Sequence, residues 1–279
     1  MCGRMTLTRS GREIAEYFAL EMKAEAVGEI DGATLRPRYN IAPSQLVATI
    51  LSSADGARIL RWKQWGLVPS WSKSADLGGR LFNARSETAR EKPSFRTAWK
   101  RRRCLIVADG FYEWTPRNRD HQPYHFRPSD SQLLALAGLY EAWRGEGGEI
   151  LESCTVLTTA ASADLQGIHH RMPVILAPSD FESWLAADSD PDRLRDLMAS
   201  APEGTLQRRA VSRSVNSPRV DDASCLDPIE PSDPSLNADV KAQQTSTTGS
   251  RSSRRTVEGD DVPSDAQGDL FGADREGGG

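Results

Sequence analysis

Cys104-Leu105-Ile106-Val107-Ala108 is an apolar run of five residues stopped by Asp109-Gly110. A run this short, closed by turn formers, reads as a buried strand, because a helix needs about ten residues or more. The pattern recurs on both sides. Residues 133–139, 154–159 and 173–177 repeat it downstream, and residues 46–51 and 59–64 upstream. Helix signals are fewer. Ser10-Gly11-Arg12-Glu13 is a capping box opening a helix to about Leu20, and Ser179-Asp180-Phe181-Glu182 opens another. Asp190-Pro191 reads as an N-cap followed by proline at the first helical position. Strands and helices do not alternate regularly and no internal repeat is visible. The expected class is α+β: one antiparallel-sheet-rich domain with a few peripheral helices.

This hydrophobic signal ends near Ile229 in a chain of 279 residues. Residues 231–279 hold one aromatic, Phe271, amid Ser, Thr, Asp, Gln, Gly and Pro. Such a segment buries too little apolar surface to offset its ordering entropy, so a disordered acidic tail is expected beyond a folded domain at 1–230. The tail carries five basic and nine acidic residues, which accounts for the whole net charge of −4. The low mean hydropathy of −0.53 has the same source. The folded part is neutral and leaves room for a local cationic groove. No run reaches the roughly 18 apolar residues of a membrane span, and Met1-Cys2-Gly3-Arg4 lacks the apolar stretch of a secretory signal. Cys2, Cys104, Cys154 and Cys225 are widely spaced with no CxxC pair, which points away from a disulfide framework or zinc knuckle and toward a reduced, cytoplasmic protein.

Cys2 is the chemically unusual position. Loss of Met1 leaves an amine and a thiol on one residue. Their ordinary pKa values, about 8 and 8.5, keep both partly nucleophilic near neutrality. The amine of such a pair adds to an aldehyde, and the thiol closes the imine to a thiazolidine ring. Gly3 allows close backbone approach, and Arg4 supplies a fork for a phosphate.

Further motifs follow: Arg38-Tyr39-Asn40-Ile41-Ala42-Pro43, Trp65-Gly66-Leu67-Val68-Pro69-Ser70-Trp71 and Asn83-Ala84-Arg85-Ser86-Glu87-Thr88. Ala108-Asp109-Gly110-Phe111-Tyr112-Glu113-Trp114 and Ile168-His169-His170-Arg171-Met172-Pro173 complete the set. With Met1-Cys2-Gly3-Arg4 in front, they resemble the SRAP family of SOS-response-associated peptidases, or abasic-site-processing proteins, in the family's order. The resemblance implies that Cys2, after loss of Met1, captures the ring-opened aldehyde of an abasic site in single-stranded DNA and shields it from strand cleavage. It matches Glu113 to the catalytic glutamate, His169 to the catalytic histidine, and Asn83 to the asparagine that holds the N-terminal cysteine and the sugar. A carboxyl beside Phe111, Tyr112 and Trp114 is expected to have a raised pKa suited to donating a proton, and a histidine near neutrality to transfer one.

The same resemblance matches Arg4, Arg85 and Arg171 to phosphate contacts, Trp71 and Pro43 to apolar surfaces against flanking bases, and Asn40 and Thr158 to polar lining. Ser72 stands where the family often has a second aromatic. Trp65, Trp114 and Trp143 read as core. Lys100-Arg101-Arg102-Arg103 reads equally as a DNA track or a solvated face. No metal or other cofactor is expected, since Pro123 argues against a helix aligning His121 with His125, and no acid pairs with His169-His170 in a ligand pattern. In the tail, Gln267-Gly268-Asp269-Leu270-Phe271 resembles the pentapeptide that docks bacterial repair proteins on the sliding clamp, with Gly268 in place of the usual Leu. That would place the protein at the nucleoid or replication fork. One site per chain gives no reason to expect an oligomer. Two other functions stand beside the leading one: a thiol peptidase with Cys2 as nucleophile, including removal of its own N-terminus, and a non-catalytic single-stranded-DNA-binding module.

Overall fold

The computed structural model describes residues 2–20, 36–116 and 121–230. The chain divides into two units, Met1–Ala238 and Asp239–Gly279, and the described residues belong to the first. The expected disordered tail and its pentapeptide lie outside the described residues.

The strands are β1 (Met5–Leu7), β2 (Arg38–Ile41), β3 (Leu46–Ser52), β4 (Arg58–Trp65), β5 (Asn83–Arg85), β6 (Arg103–Ala108), β7 (Gly110–Trp114), β8 (Pro123–Pro128), β9 (Leu134–Arg144), β10 (Ile150–Ala160), β11 (Arg171–Pro173), β12 (Ile175–Leu176) and β13 (Leu206–Ala210). The helices are short: α1 (Gly11–Phe18), α2 (Ser86–Ala89), α3 (Arg96–Arg101), α4 (Phe181–Leu185) and α5 (Pro191–Asp196). An α+β class rich in antiparallel sheet is what forms.

Every run singled out in the sequence lands in the larger sheet. Its pairings β3–β4, β4–β10, β10–β9, β9–β6 and β6–β3 return to their start, so these strands close into a barrel. Closure removes the open edges of an apolar sheet. On the outer face Arg103 donates to the carbonyls of Trp99 at 2.7 Å and Trp184 at 2.8 Å, tying α3 and α4 to β6. It is 4% exposed and also reaches Ala186 O, so it is a structural tie. Arg102 pairs with Glu141 at 2.7 Å. Of the basic run only Lys100 and Arg101 face solvent.

β4 leaves β10 at Trp65, and Gly66 allows the departure. Its φ is +133°, and a methyl there would lie 2.3 Å from Gly78 O. β5 takes the vacated edge of β10 in parallel register, Asn83 opposite Val156 and Arg85 opposite Thr158. The single strand expected at 173–177 is two. Val174 donates to Leu157 O on β10 and accepts from Ala137 N on β9, so the chain crosses between them.

The smaller sheet has the order β13-β8-β7-β1-β2, antiparallel throughout. Its inner face joins the main core through Met5, Phe111 and Phe126, the two rings stacked at 5.2 Å. Its outer face holds a separate cluster of Tyr112, Val211, Val215 and Cys225. Beside that cluster, a methyl on Gly110 would meet His125 Nε2 at 2.1 Å.

α1 carries the expected capping box: Glu13 N donates to Ser10 Oγ at 3.3 Å, and Ser10 N to Glu13 Oε2 at 2.8 Å. It stops at Phe18 because Ala19 turns left-handed. Asp190 caps α5 through Asp192 N at 3.1 Å. The box expected at Ser179 does not form. Pro178–Asp180 is a 3-10 turn, and the Asp180 carboxylate is bound by Arg193 at 2.6 Å.

Candidate functional site

Cys2 enters β1, which is flanked by β7, so the thiol arrives beside Glu113 on the buried side of the smaller sheet. The side chain is wholly buried, and Sγ points at Arg4 O at 3.9 Å. Asn83 Nδ2 donates to Cys2 O at 2.6 Å, so the edge strand β5 fixes residue 2 across the two sheets. Burial pushes the thiol well above its usual range, and the negative charge of Glu113 adds to this. With Met1 in place Cys2 therefore holds its proton, and its nitrogen is a peptide nitrogen.

Glu113 is 3% exposed, and burial raises its carboxyl to about 7. The aromatic surroundings expected from sequence are only half right. Side chains alternate along a strand, so Phe111 shares the face of Glu113 while Tyr112 and Trp114 point the other way. Tyr112 packs on His125 at 4.9 Å, and the half-buried Trp114 donates to Asn216 Oδ1 at 2.7 Å instead of filling the core. Trp65 and Trp143 are buried.

His169 precedes β11. Arg171 N donates to His169 Nδ1 at 2.9 Å, and Arg171 O lies 3.0 Å from the same nitrogen. The main chain of one residue can thus serve either tautomer, accepting from a protonated Nδ1 or donating to a bare one, and the tautomer decides whether Nε2 carries a proton. Burial lowers the imidazole to about 4. His170 stacks on it at 4.6 Å.

The expected DNA contacts divide into an exposed and an enclosed group. Trp71 is 59% exposed, Arg85 is exposed and Pro43 is half-buried. Arg4 is turned inward, donating to Asn40 Oδ1 at 2.8 Å and Val215 O at 2.6 Å. Asn40 is buried and gives its amide to the carbonyls of Val215, Ser217 and Val220. Thr158 is buried against Ala84 O, and Arg171 is bound by Glu87. Two residues of this framework carry no role in the sequence reading. Asp221 accepts Tyr39 N at 2.7 Å and Asn40 N at 2.8 Å from far along the chain, where no local pattern announces it. Glu87 stands in the same motif as Asn83. Among the described residues no group of three or more His, Cys, Asp or Glu is placed to hold a metal, and no helix is long and apolar enough to cross a membrane.

Residues 1–218 match the family model described as SOS response associated peptidase (SRAP). The chain belongs to the SRAP family. Similar proteins include the abasic site processing protein YoqW of Bacillus subtilis, 38% identical over 78% of this chain and 96% of that one. The abasic site processing protein HMCES of Gallus gallus is 33% identical over 82% of this chain and 78% of its own. Among solved structures, a protein from Bordetella bronchiseptica aligns with a TM-score of 0.63 at 29% identity, covering 76% of this chain and all of that one. One from Bacteroides thetaiotaomicron shares the fold with a TM-score of 0.73 at 24% identity, over 82% of this chain and all of the other.

Proposed function

We propose that this SRAP protein captures abasic sites in single-stranded DNA as a covalent thiazolidine at Cys2, after loss of Met1, and so shields the lesion. The observation that carries the reading is the fixing of residue 2 beside a near-neutral carboxyl: Asn83 holds its carbonyl at 2.6 Å while Glu113 is raised to about 7. The relatives' names, abasic site processing proteins, agree with it.

In this reading the Cys2 amine adds to the aldehyde carbon, and Glu113 relays the two amine protons, one after the other, to the oxygen. Loss of that oxygen as water leaves the imine. The thiol then adds across C=N, its proton passes to nitrogen, and the ring closes. Amine, thiol and aldehyde become thiazolidine and one water. His169 moves protons during sugar-ring opening, imine formation or reversal. Trp71, Pro43 and Arg85 meet the strand at the surface. Arg4 exchanges internal partners for phosphate oxygens, Arg171 adds its charge from behind, and Asn40 and Thr158 hold the shape of the lining. No cofactor enters, and a single chain suffices.

A denaturing gel after mixing with abasic single-stranded DNA should show a shifted band for the Met1-processed protein and none for Cys2→Ala or protein retaining Met1. Salt-sensitive binding without any band would replace the reading with a non-catalytic DNA-binding module. The family description as a peptidase favours a second activity, self-removal of Met1. Intact mass of protein translated without aminopeptidase tests it, and retention of Met1 there rules it out. The tail pentapeptide Gln267-Gly268-Asp269-Leu270-Phe271 would tether the protein to the sliding clamp in the cytoplasm, at the nucleoid or fork. Clamp capture should be lost in Leu270→Ala/Phe271→Ala, and equal capture by both proteins would remove the tether.

A further inference from the structure

Arg171 is a nearly buried cation, its side chain 9% exposed, at the start of the three-residue strand β11. Its guanidinium forks onto Glu87, with Nη1 on Oε1 and Nη2 on Oε2 at 2.9 Å. Nη2 also donates to Thr158 O at 2.5 Å, while the buried Nε has no hydrogen-bond partner among the described residues. Glu87 is the one carboxylate bonded to it among those residues. Removing the carboxylate leaves a nearly buried guanidinium without its counter-ion, so the side chain must move if the carboxylate goes. The N–H and the C=O of that same arginine both lie within hydrogen-bond distance of His169 Nδ1, one for each tautomer. A carboxylate on α2 is thus connected to the imidazole through the side chain and main chain of one arginine.

We propose that Glu87 is a positioning residue for His169: by holding the Arg171 guanidinium against Thr158 it fixes the 169–171 corner and with it the imidazole. The inference rests on the reading of His169 as the proton-transfer group. Arg85, two residues before Glu87 at the end of β5, is exposed. The Glu87 side chain is itself 52% exposed, but both of its carboxylate oxygens are taken by the nearly buried guanidinium. Arg171 then acts as a strut that ties Glu87 to the main chain of the wholly buried Thr158.

The test separates binding from chemistry. With abasic single-stranded DNA at saturation, Glu87→Gln should slow the covalent step about tenfold while Kd stays within twofold, and Glu87→Asp should recover at least a third of the loss. Arg171→Ala/Glu87→Gln should be no slower than Arg171→Ala alone, as expected of residues acting through one strut. Nitrogen-15 NMR of the imidazoles in DNA-free protein supplies a second readout, in which Glu87→Gln should shift the His169 Nδ1 resonance and leave His125 unmoved. A wild-type rate with tighter Kd would overturn the inference, making Glu87 a guard over a phosphate site. So would a lowered melting temperature with unchanged rate and unchanged His169 signal. If no protein crosslinks at all, the functional reading has failed, and the NMR comparison alone decides the role of Glu87.

Discussion

Glu113 sits where a carboxyl can both give and take a proton near neutrality, because burial disfavours its charge. A rise from 4.5 to about 7 corresponds to roughly 3 kcal/mol between its two forms. In the proposed crosslinking, that value would set the pH dependence. The free amine increases up to its own pKa of about 8, while the protonated Glu113 that donates to the departing oxygen declines above 7, so the single-turnover rate should pass through a maximum. Glu113→Gln should lower the rate at neutrality about a hundredfold, within the range expected for general acid–base catalysis. It should also abolish the alkaline decline, leaving only the rise of the amine. Band formation timed between pH 5.5 and 8.5 checks both. A variant that keeps the alkaline decline assigns that limb to another group.

At the scale of elements, close backbone approaches make two glycines critical. Gly110→Ala brings a methyl to 2.1 Å from His125 Nε2 and 2.8 Å from Phe126 O. Ordinary gain from a stiffer unfolded chain is about 0.4–1 kcal/mol, whereas overpacking costs about 1–3 kcal/mol, so destabilisation wins. Urea midpoints should show it, and Gly110→Ala/His125→Ala should lose less than the two single losses added together, because one clash is removed. Gly66→Ala should be worse, since its neighbour is the Gly78 backbone and its φ is left-handed. The sequence shows the larger sheet plainly: the runs around Ile50, Ile106, Leu136 and Val156 are apolar on both faces, as a covered barrel requires. It hides the smaller sheet, whose strands carry Thr6, Asn40, Glu113 and His125, polar residues buried by specific partners and not by pattern. The residues that meet at Cys2 were recognisable only as motifs. Their assembly depends on β5 entering the gap that β4 leaves, and a pairing between residues 83 and 156 has no local signature. Arg103 illustrates the reverse error, since a charge in a basic run gives no sign that it will be buried under three carbonyls.

At the scale of the molecule, among the described residues burial shifts His125, Glu113 and His169 in ways that pull stability against pH in opposite directions. His125, lowered to about 3 by burial and by Arg209 and Arg127, is neutral when folded and charged when unfolded below 6.5. The unfolded state then binds the extra proton, so stability drops by about 1.4 kcal/mol for each pH unit descended. Glu113 does the reverse between 4.5 and about 7, where the folded state holds the proton and acidification stabilises by a similar slope. His169, lowered to about 4, adds to the loss, but solvent around its exposed half weakens its share. The large opposing terms nearly cancel from pH 6.5 to 4.5, so wild-type stability should decline only gently there. Below 4.5 the unfolded Glu113 is protonated too, its compensation ends, and the decline should steepen toward 3. Two variants separate the terms. Glu113→Gln should fall steeply from pH 6.5 downward, and His125→Gln should gain stability on acidification to 4.5 because only the carboxyl's slope and a screened His169 remain. Urea unfolding at half-unit pH steps measures all three curves. Parallel curves for the two variants would show that neither group has the protonation assigned to it in the folded state.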